Sequence, residues 1–224
     1  MTEKSKNNSK KDLLKYLILL LSAHTVFLII SGYFSIGLLS DDYLNFISAQ
    51  SSTLSEKFTS SIPYYSNFHF RPIWFMSIDL SIFINSLFTS SENNFIFYRI
   101  ENLLWFYILM LISANFLYKI TGSKFSVLMF TFVCIIFPNN LINICWTAGK
   151  VDLICAIFLI SALTWTYSYI IESKKKYLIY TLILFLSALM TKETAVVFPL
   201  ICIVFFTMVF GKDILKKIRI LIIS

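Results

Sequence analysis

Two adjacent carboxylates, Asp41 and Asp42, follow the first long apolar stretch of the sequence. Neighbouring carboxylates raise one another's proton affinity, which suits a general base, and such a pair can also bind a cation. A plausible helix runs from Tyr43 to Ser55, and Ser40 or Asp41 in front of it would serve equally as the N-cap. The spacing leaves catalysis and capping open, and the two roles do not exclude each other.

A cation and an aromatic residue occur together further along, in the stretch from His69 to Trp74. The planar donor fork of Arg71 matches a phosphate group. The same residues also fit a membrane-surface anchor, in which Trp74 lies at the interface and Arg71 extends towards water. Both interpretations place this stretch at the edge of a membrane.

Two more pairs of opposite charges stand next to apolar runs. Lys150 and Asp152 follow Gly149, where the missing side chain would let the backbone approach a phosphate closely. Lys192 and Glu193 separate two apolar runs. Each pair can be a simple ion pair in a solvated turn or a cation and an acid that line a cavity.

The elements that must position these residues are membrane helices. The chain has 224 residues, of which 58% are hydrophobic and 14% charged, and its apolar runs are long enough to span a bilayer. The sequence therefore predicts an all-α polytopic membrane helix bundle. The predicted spans are Leu13 to Gly37, Asn102 to Tyr118, Phe125 to Phe137, Asp152 to Ile171, Tyr177 to Met190 and Thr194 to Phe210, with a further one starting near Ile214.

Several function classes are excluded or disfavoured. The net charge of +7 comes from basic residues beside apolar runs, so it indicates topology rather than a nucleic-acid partner. Nucleotide-binding and serine-hydrolase motifs are absent from the sequence. The four cysteines lack metal-ligand spacing and are expected to be buried, and His24 is expected to form an interhelical hydrogen bond.

Basic residues set the predicted orientation. The apolar segment from Arg71 to Phe88 is interrupted by polar residues, and Pro72 fits the first turn of a helix. If this segment lies along the outer interface rather than crossing, most of the 19 basic residues fall on the cytoplasmic side. The prediction is a cytoplasmic basic tail over residues 1–12 and a transmembrane domain over 13–224, with an outer loop of interfacial helices over 40–98.

Six stretches, taken in order, resemble the membrane-embedded GT-C glycosyltransferases that use polyprenyl-phosphate sugars. The similarity is greatest to the protein O-mannosyltransferases, weaker to the aminoarabinose transferases of lipid A, and confined to the N-terminal half of such enzymes. The stretches are Asp41 to Tyr43, His69 to Ile73, Tyr98 to Asn102, Pro138, Gly149 to Asp152 and Leu189 to Thr194.

The resemblance implies a GT-C-like fold with about six to seven transmembrane helices and a glycosyltransferase activity. The donor would be a polyprenyl-phosphate-linked sugar, and the acceptor a protein, a lipid or a glycan at the outer face of the plasma membrane or its equivalent. Asp41 or Asp42 would be the catalytic base, and the same two residues would be the ligands if a divalent cation is used. The resemblance assigns substrate or phosphate binding to His69, Arg71, Lys150, Asp152, Lys192 and Glu193.

The alternative function is a non-catalytic membrane subunit or a component of a lipid or glycan carrier. A carrier is expected to show repeated halves and ionisable residues near the middle of the bilayer, and neither is evident in the sequence. In both cases membrane lipids are expected partners and nucleic acid is not.

Overall fold

The computed structural model describes residues 3–39, 42–59, 70–88 and 95–211. These residues form α-helices and two short 3-10 helices, Tyr33–Ser35 and Glu193–Val197, with no strand among them, which confirms the predicted all-α class. The α-helices, in chain order, are α1 (Glu3–Ile30), α2 (Asp42–Ser51), α3 (Leu54–Thr59), α4 (Pro72–Phe88), α5 (Ile96–Thr121), α6 (Lys124–Ile136), α7 (Pro138–Cys145), α8 (Lys150–Glu172), α9 (Lys175–Leu189) and α10 (Phe198–Phe210).

Four helical segments are long and apolar enough to cross a membrane. In α1, for example, Leu19 and Ile30 are exposed while Leu21 and Leu28 are buried, so the helix is apolar on every side. Such a helix is expected in lipid rather than at an aqueous surface. The predicted membrane character is confirmed at this level of length and composition. The four segments are Lys11–Ile30, Ile96–Thr121, Lys150–Glu172 and Glu193–Phe210.

Helix length confirms fewer spans than the six or seven predicted, and the further span predicted near Ile214 lies outside the described residues. Helices α6 and α7 meet at a bend of 62° and count together as one broken span, which gives four or five spans among the described residues. Pro138 begins α7 after the bend, where its missing N–H costs nothing. Helix α9 has 15 residues, fewer than the roughly 20 that a bilayer requires.

Two predicted helix ends differ from the structure. Helix α1 stops at Ile30 rather than continuing to Gly37, because Gly32 takes a left-handed conformation with φ of 75°. The helix predicted to end at Ser55 stops at Ser51, and α3 begins after Thr53.

A capping box explains the break between α2 and α3. The N–H of Thr53 donates to Oε2 of Glu56 at 2.6 Å, and the N–H of Glu56 donates to Oγ1 of Thr53 at 3.3 Å. The hydrogen bonds from Thr53 hold the pKa of the Glu56 carboxyl below its usual value. A new helix therefore starts here instead of the old one continuing.

The chain divides into two compact units, each described by itself. The first comprises Met1–Phe46 and Asp79–Leu153. In it α1 packs on α5 through His24, whose Nδ1 lies 3.1 Å from the Tyr107 hydroxyl, as the sequence predicts. The buried core of this unit contains Leu21, Leu28, Tyr33, Leu103, Phe106, Met110, Ile135, Ile144 and Leu153.

The second unit comprises Ile47–Ile78 and Ile154–Ser224. Small side chains bring α8 close to the α9–α10 segment, and Cys155, Ala188 and Ala195 form a buried cluster there. The hydroxyl groups of Thr166 and Thr181 lie 3.3 Å apart between α8 and α9. Such close contacts between small residues are typical of helix packing in membranes.

Candidate functional site

Asp42 is the first residue of α2 and is only 1% exposed. Its Oδ1 accepts the N–H of Ala148 at 2.7 Å, and its Oδ2 accepts the N–H groups of Thr147 at 3.3 Å and Leu39 at 3.0 Å. The bond to Leu39 joins Asp42 to a residue before α2, and the two predicted caps, Ser40 and Asp41, lie outside the described residues. The other two bonds reach 105 and 106 residues along the chain and fix the segment before α8.

Arg99, in the first turn of α5, is fully buried. Its Nε donates to the carbonyl oxygen of Ile36 at 3.0 Å, and its terminal nitrogens donate to the carbonyl oxygens of Gly37 and Cys145. A further contact of 3.4 Å reaches Oγ1 of Thr147. Because Thr147 contacts Asp42 as well, the two opposite charges lie at the same turn of the chain.

Two neutral side chains complete this arrangement. The Tyr33 hydroxyl donates to the carbonyl oxygens of Arg99 at 2.8 Å and Ile144 at 3.1 Å. Nδ2 of Asn102 donates to the carbonyl oxygens of Ile144 at 3.2 Å and Trp146 at 2.9 Å. Burial raises the pKa of Tyr33, so its hydroxyl remains a donor. We call the side chains of Tyr33, Asp42, Arg99 and Asn102 the polar clamp.

Gly149 ends the turn that the polar clamp holds. A Cβ atom added to it would lie 2.9 Å from the carbonyl oxygen of Trp146 and 3.0 Å from that of Asn143. Glycine is needed here because the chain's own backbone comes this close. The predicted approach of a phosphate to Gly149 remains a prediction.

Lys150 follows directly and is also fully buried. Its Nζ donates to Oγ of Ser81 and to Oε1 of Glu101, the latter at 3.3 Å. The same carboxylate oxygen accepts the indole N–H of Trp105 at 3.1 Å. The Glu101 side chain is 17% exposed whereas that of Lys150 is not exposed at all, so the pair has one accessible end, which is the acid.

Arg71 and Glu193 form a bidentate ion pair in the second unit. Nε and Nη2 of Arg71 donate to the two carboxylate oxygens of Glu193 at 2.8 and 2.5 Å. The Arg71 guanidinium also lies 5.6 Å from the Trp74 ring centre, and the N–H of Ile73 donates to the carbonyl oxygen of Met190 at 3.1 Å. The fork predicted to hold phosphate therefore holds a carboxylate of the same chain.

The remaining predicted residues are placed only partly. Asp152 and Lys192 are half-buried, and each has a partner in the structure. Asp41 and His69 lie outside the described residues. Among the predicted residues, Asp42 and Lys150 lie in the first unit, and Arg71, Lys192 and Glu193 lie in the second.

The described residues do not fit a metal ion. They contain no group of three or more His, Cys, Asp or Glu side chains that could hold one. Asp42 accepts three N–H donors, which take up three of the roughly four lone-pair positions of its carboxylate. We therefore derive no chemical step from a metal.

The sequence-predicted set omitted Tyr33, and it also omitted three residues near the start of α5: Arg99, Glu101 and Asn102. They occupy successive polar positions at the start of an otherwise apolar span. Ionisable residues in such a position are costly and usually have a function, and that signal identifies them. No protein-family model, curated protein or solved structure matches the chain.

Proposed function

We propose that this chain is part of a membrane glycosyltransferase that transfers a sugar from a polyprenyl-phosphate donor to an acceptor at the outer membrane face. Its fold would be GT-C-like, with six to seven spans, a cytoplasmic N-terminus and interfacial helices in the first outer loop. The observation that carries this proposal is the Lys150–Glu101 pair, a buried cation joined to a partly exposed acid among apolar helices.

The chemistry requires a base and a cation near each other. An acceptor hydroxyl loses its proton to a carboxylate, its oxygen bonds to the anomeric carbon, and the bond from that carbon to the phosphate oxygen breaks. Negative charge then develops on the leaving phosphate, and a preorganised cation stabilises it. Lys150 stands two residues after Ala148, whose N–H binds Asp42, so this cation directly follows the turn that Asp42 holds.

Within the acidic pair we assign different roles. The carboxylate of Asp42 is buried and accepts three backbone hydrogen bonds, so it is suited to holding the turn before α8. We propose that Asp41 is the base, because it is the other acid of the pair. Glu101, the exposed end of its ion pair, is the second acid that can reach a substrate.

The test is transfer of radiolabelled mannose from a polyprenyl-phosphate donor to acceptors in native membranes, with Asp41→Asn and Asp42→Asn measured separately. We expect Asp41→Asn to lower the rate by roughly 100-fold or more, as loss of a general base does, without changing the thermal midpoint in detergent. Asp42→Asn is expected to lower both quantities. Normal transfer by both variants would remove the base assignment.

A second candidate is a non-catalytic membrane subunit, and one observation favours it. The hydrogen bonds of the Arg99 guanidinium all go to backbone or hydroxyl oxygens of the chain. Those of the Asp42 carboxylate all come from backbone N–H groups. Such a clamp can simply hold the helices together. This candidate predicts that Asp41→Asn leaves the rate of sugar transfer unchanged.

A further inference from the structure

An open groove of about 280 Å³ lies in the second unit between α8 and α9. Its lining residues are Trp165 from α8 and Tyr180, Ile183 and Leu184 from α9. Ile183 and Tyr180 are exposed, at 56% and 43%. The groove is thus an apolar surface with aromatic walls that the described part of the chain leaves open.

An aromatic cluster joins the groove to the turn between the two helices. The Trp165 ring stacks on the Tyr177 ring, with centres 5.3 Å apart, and meets the Tyr180 ring edge-on at 5.0 Å. Tyr177 is nearest the turn, and its hydroxyl donates to Glu172 at 3.0 Å. Tyrosine and tryptophan in this arrangement are typical of the level at which lipid headgroups meet acyl chains.

Cations are held directly above this cluster. Nζ of Lys176 lies 5.3 Å from the centre of the Tyr177 ring, and Nζ of Lys174 lies 5.9 Å from it. Lys174 also donates to Glu172 at 2.6 Å. The turn carries three lysines and one glutamate over residues 172–176, so it keeps an excess of positive charge.

The groove follows the lysines along α9. Ile183 is eight residues beyond Lys175 on a helix that rises about 1.5 Å per residue, so the groove lies roughly 12 Å from the lysines. We infer that this hairpin binds an anionic phospholipid, with the headgroup phosphate at Lys174 and Lys176 and one acyl chain in the groove lined by Trp165, Tyr180, Ile183 and Leu184.

The charge distribution favours this occupant over others. A zwitterionic lipid would gain little from three lysines, whereas each basic residue near an anionic headgroup strengthens its binding. A second copy of the chain would bring the same lysines against each other if it bound symmetrically. This inference stands independently of the proposed enzymatic function.

The experiment is native mass spectrometry of the full chain in detergent, titrated with phosphatidylglycerol or phosphatidylcholine of the same chain length. We expect phosphatidylglycerol to remain bound at concentrations at which phosphatidylcholine does not. The double variant Lys174→Gln with Lys176→Gln is expected to bind phosphatidylglycerol about thirty-fold more weakly. Ile183→Trp, which fills the groove and keeps both lysines, is expected to weaken binding as well.

The matched control removes the same amount of charge elsewhere. Lys11 and Lys15 are exposed on α1, and their double replacement by Gln is expected to leave lipid binding unchanged. Equal retention of both lipids by the wild type would overturn the inference. So would an equal loss in the control variant, undiminished binding by Ile183→Trp, or a protein dimer in place of the lipid adduct.

Discussion

Two buried charges of this protein, Arg99 and Asp42, are bound mainly by backbone groups of the chain. Arg99 donates to the carbonyl oxygens of Ile36, Gly37 and Cys145, and Asp42 accepts N–H groups from nearby Leu39 and from the distant segment before α8. An ion taken out of water is costly unless its hydrogen-bonding capacity is filled in this way. At the scale of single residues, the stability of the polar clamp is therefore expected to depend on the shape of each ionic group as well as on its charge.

Arg99 is expected to contribute most to stability among the clamp residues. Arg99→Gln leaves several buried carbonyl oxygens and the Asp42 charge without their cation, which is expected to cost about 3–5 kcal/mol of unfolding free energy. Arg99→Lys keeps the charge but loses the planar fork, so an intermediate loss is expected. The measurement is the thermal midpoint in detergent. Lys15→Gln, at an exposed position, serves as the control, and an unchanged midpoint for Arg99→Gln would contradict the prediction.

At the scale of elements, turns rather than long helices position the candidate site. The segment from Trp146 to Gly149 is a tight turn between α7 and α8, and it carries the atoms that Asp42, Arg99 and Asn102 bind. The close approach of Gly149 to the carbonyl oxygens before it sets the start of α8. Lys150 is placed next to Glu101 as a result.

Gly149→Ala is therefore expected to destabilise the protein. The added methyl group meets backbone atoms that cannot rotate away, and overpacking of this kind costs about 1–3 kcal/mol. Gly37→Ala is the matched control, because its Cβ would find the Phe95 ring at an ordinary 3.9 Å. Circular dichroism melts of both variants in the same detergent test this. Equal thermal midpoints for Gly149→Ala and Gly37→Ala would contradict the prediction and would show that the turn can widen to accept the methyl group.

The sequence predicts where these helices begin better than it predicts the contacts between distant segments. Pro72 and Pro138 mark helix starts that the structure confirms, because proline acts through its own ring and its missing N–H. The contact of Asp42 with Thr147 depends on two segments 105 residues apart, and no local pattern encodes it. For the same reason Arg99 and Glu101 were predicted as part of a motif but not as members of a site.

At the scale of the whole molecule, the apolar helices indicate a membrane protein, and the basic residues supply the predicted orientation. The lysines of the α8–α9 turn and those at the start of α1 are expected on the same side of the membrane. Helix α4, 17 residues long, is expected to lie along the opposite surface rather than to cross.

Single cysteines test this orientation in a variant whose natural cysteines are replaced by serine. Lys15→Cys and Lys175→Cys are expected to react with a membrane-impermeant maleimide from one side, and Leu80→Cys from the other. All three positions are exposed on their helices, so access within the protein does not limit the reaction. Labelling of position 175 only from the side that labels position 80 would contradict the interfacial placement of α4.

The contacts of Arg99 have a consequence for how freely this sequence can change. Its acceptors at Ile36, Gly37 and Cys145 are main-chain oxygens, which every amino acid possesses. The identity of those three side chains is therefore of little importance to the ion they surround. In a saturation mutagenesis library, position 99 should tolerate almost no substitution, while its partner positions accept many. The contact would then be detected from the sequence constraint at position 99 and not from that at its partner positions.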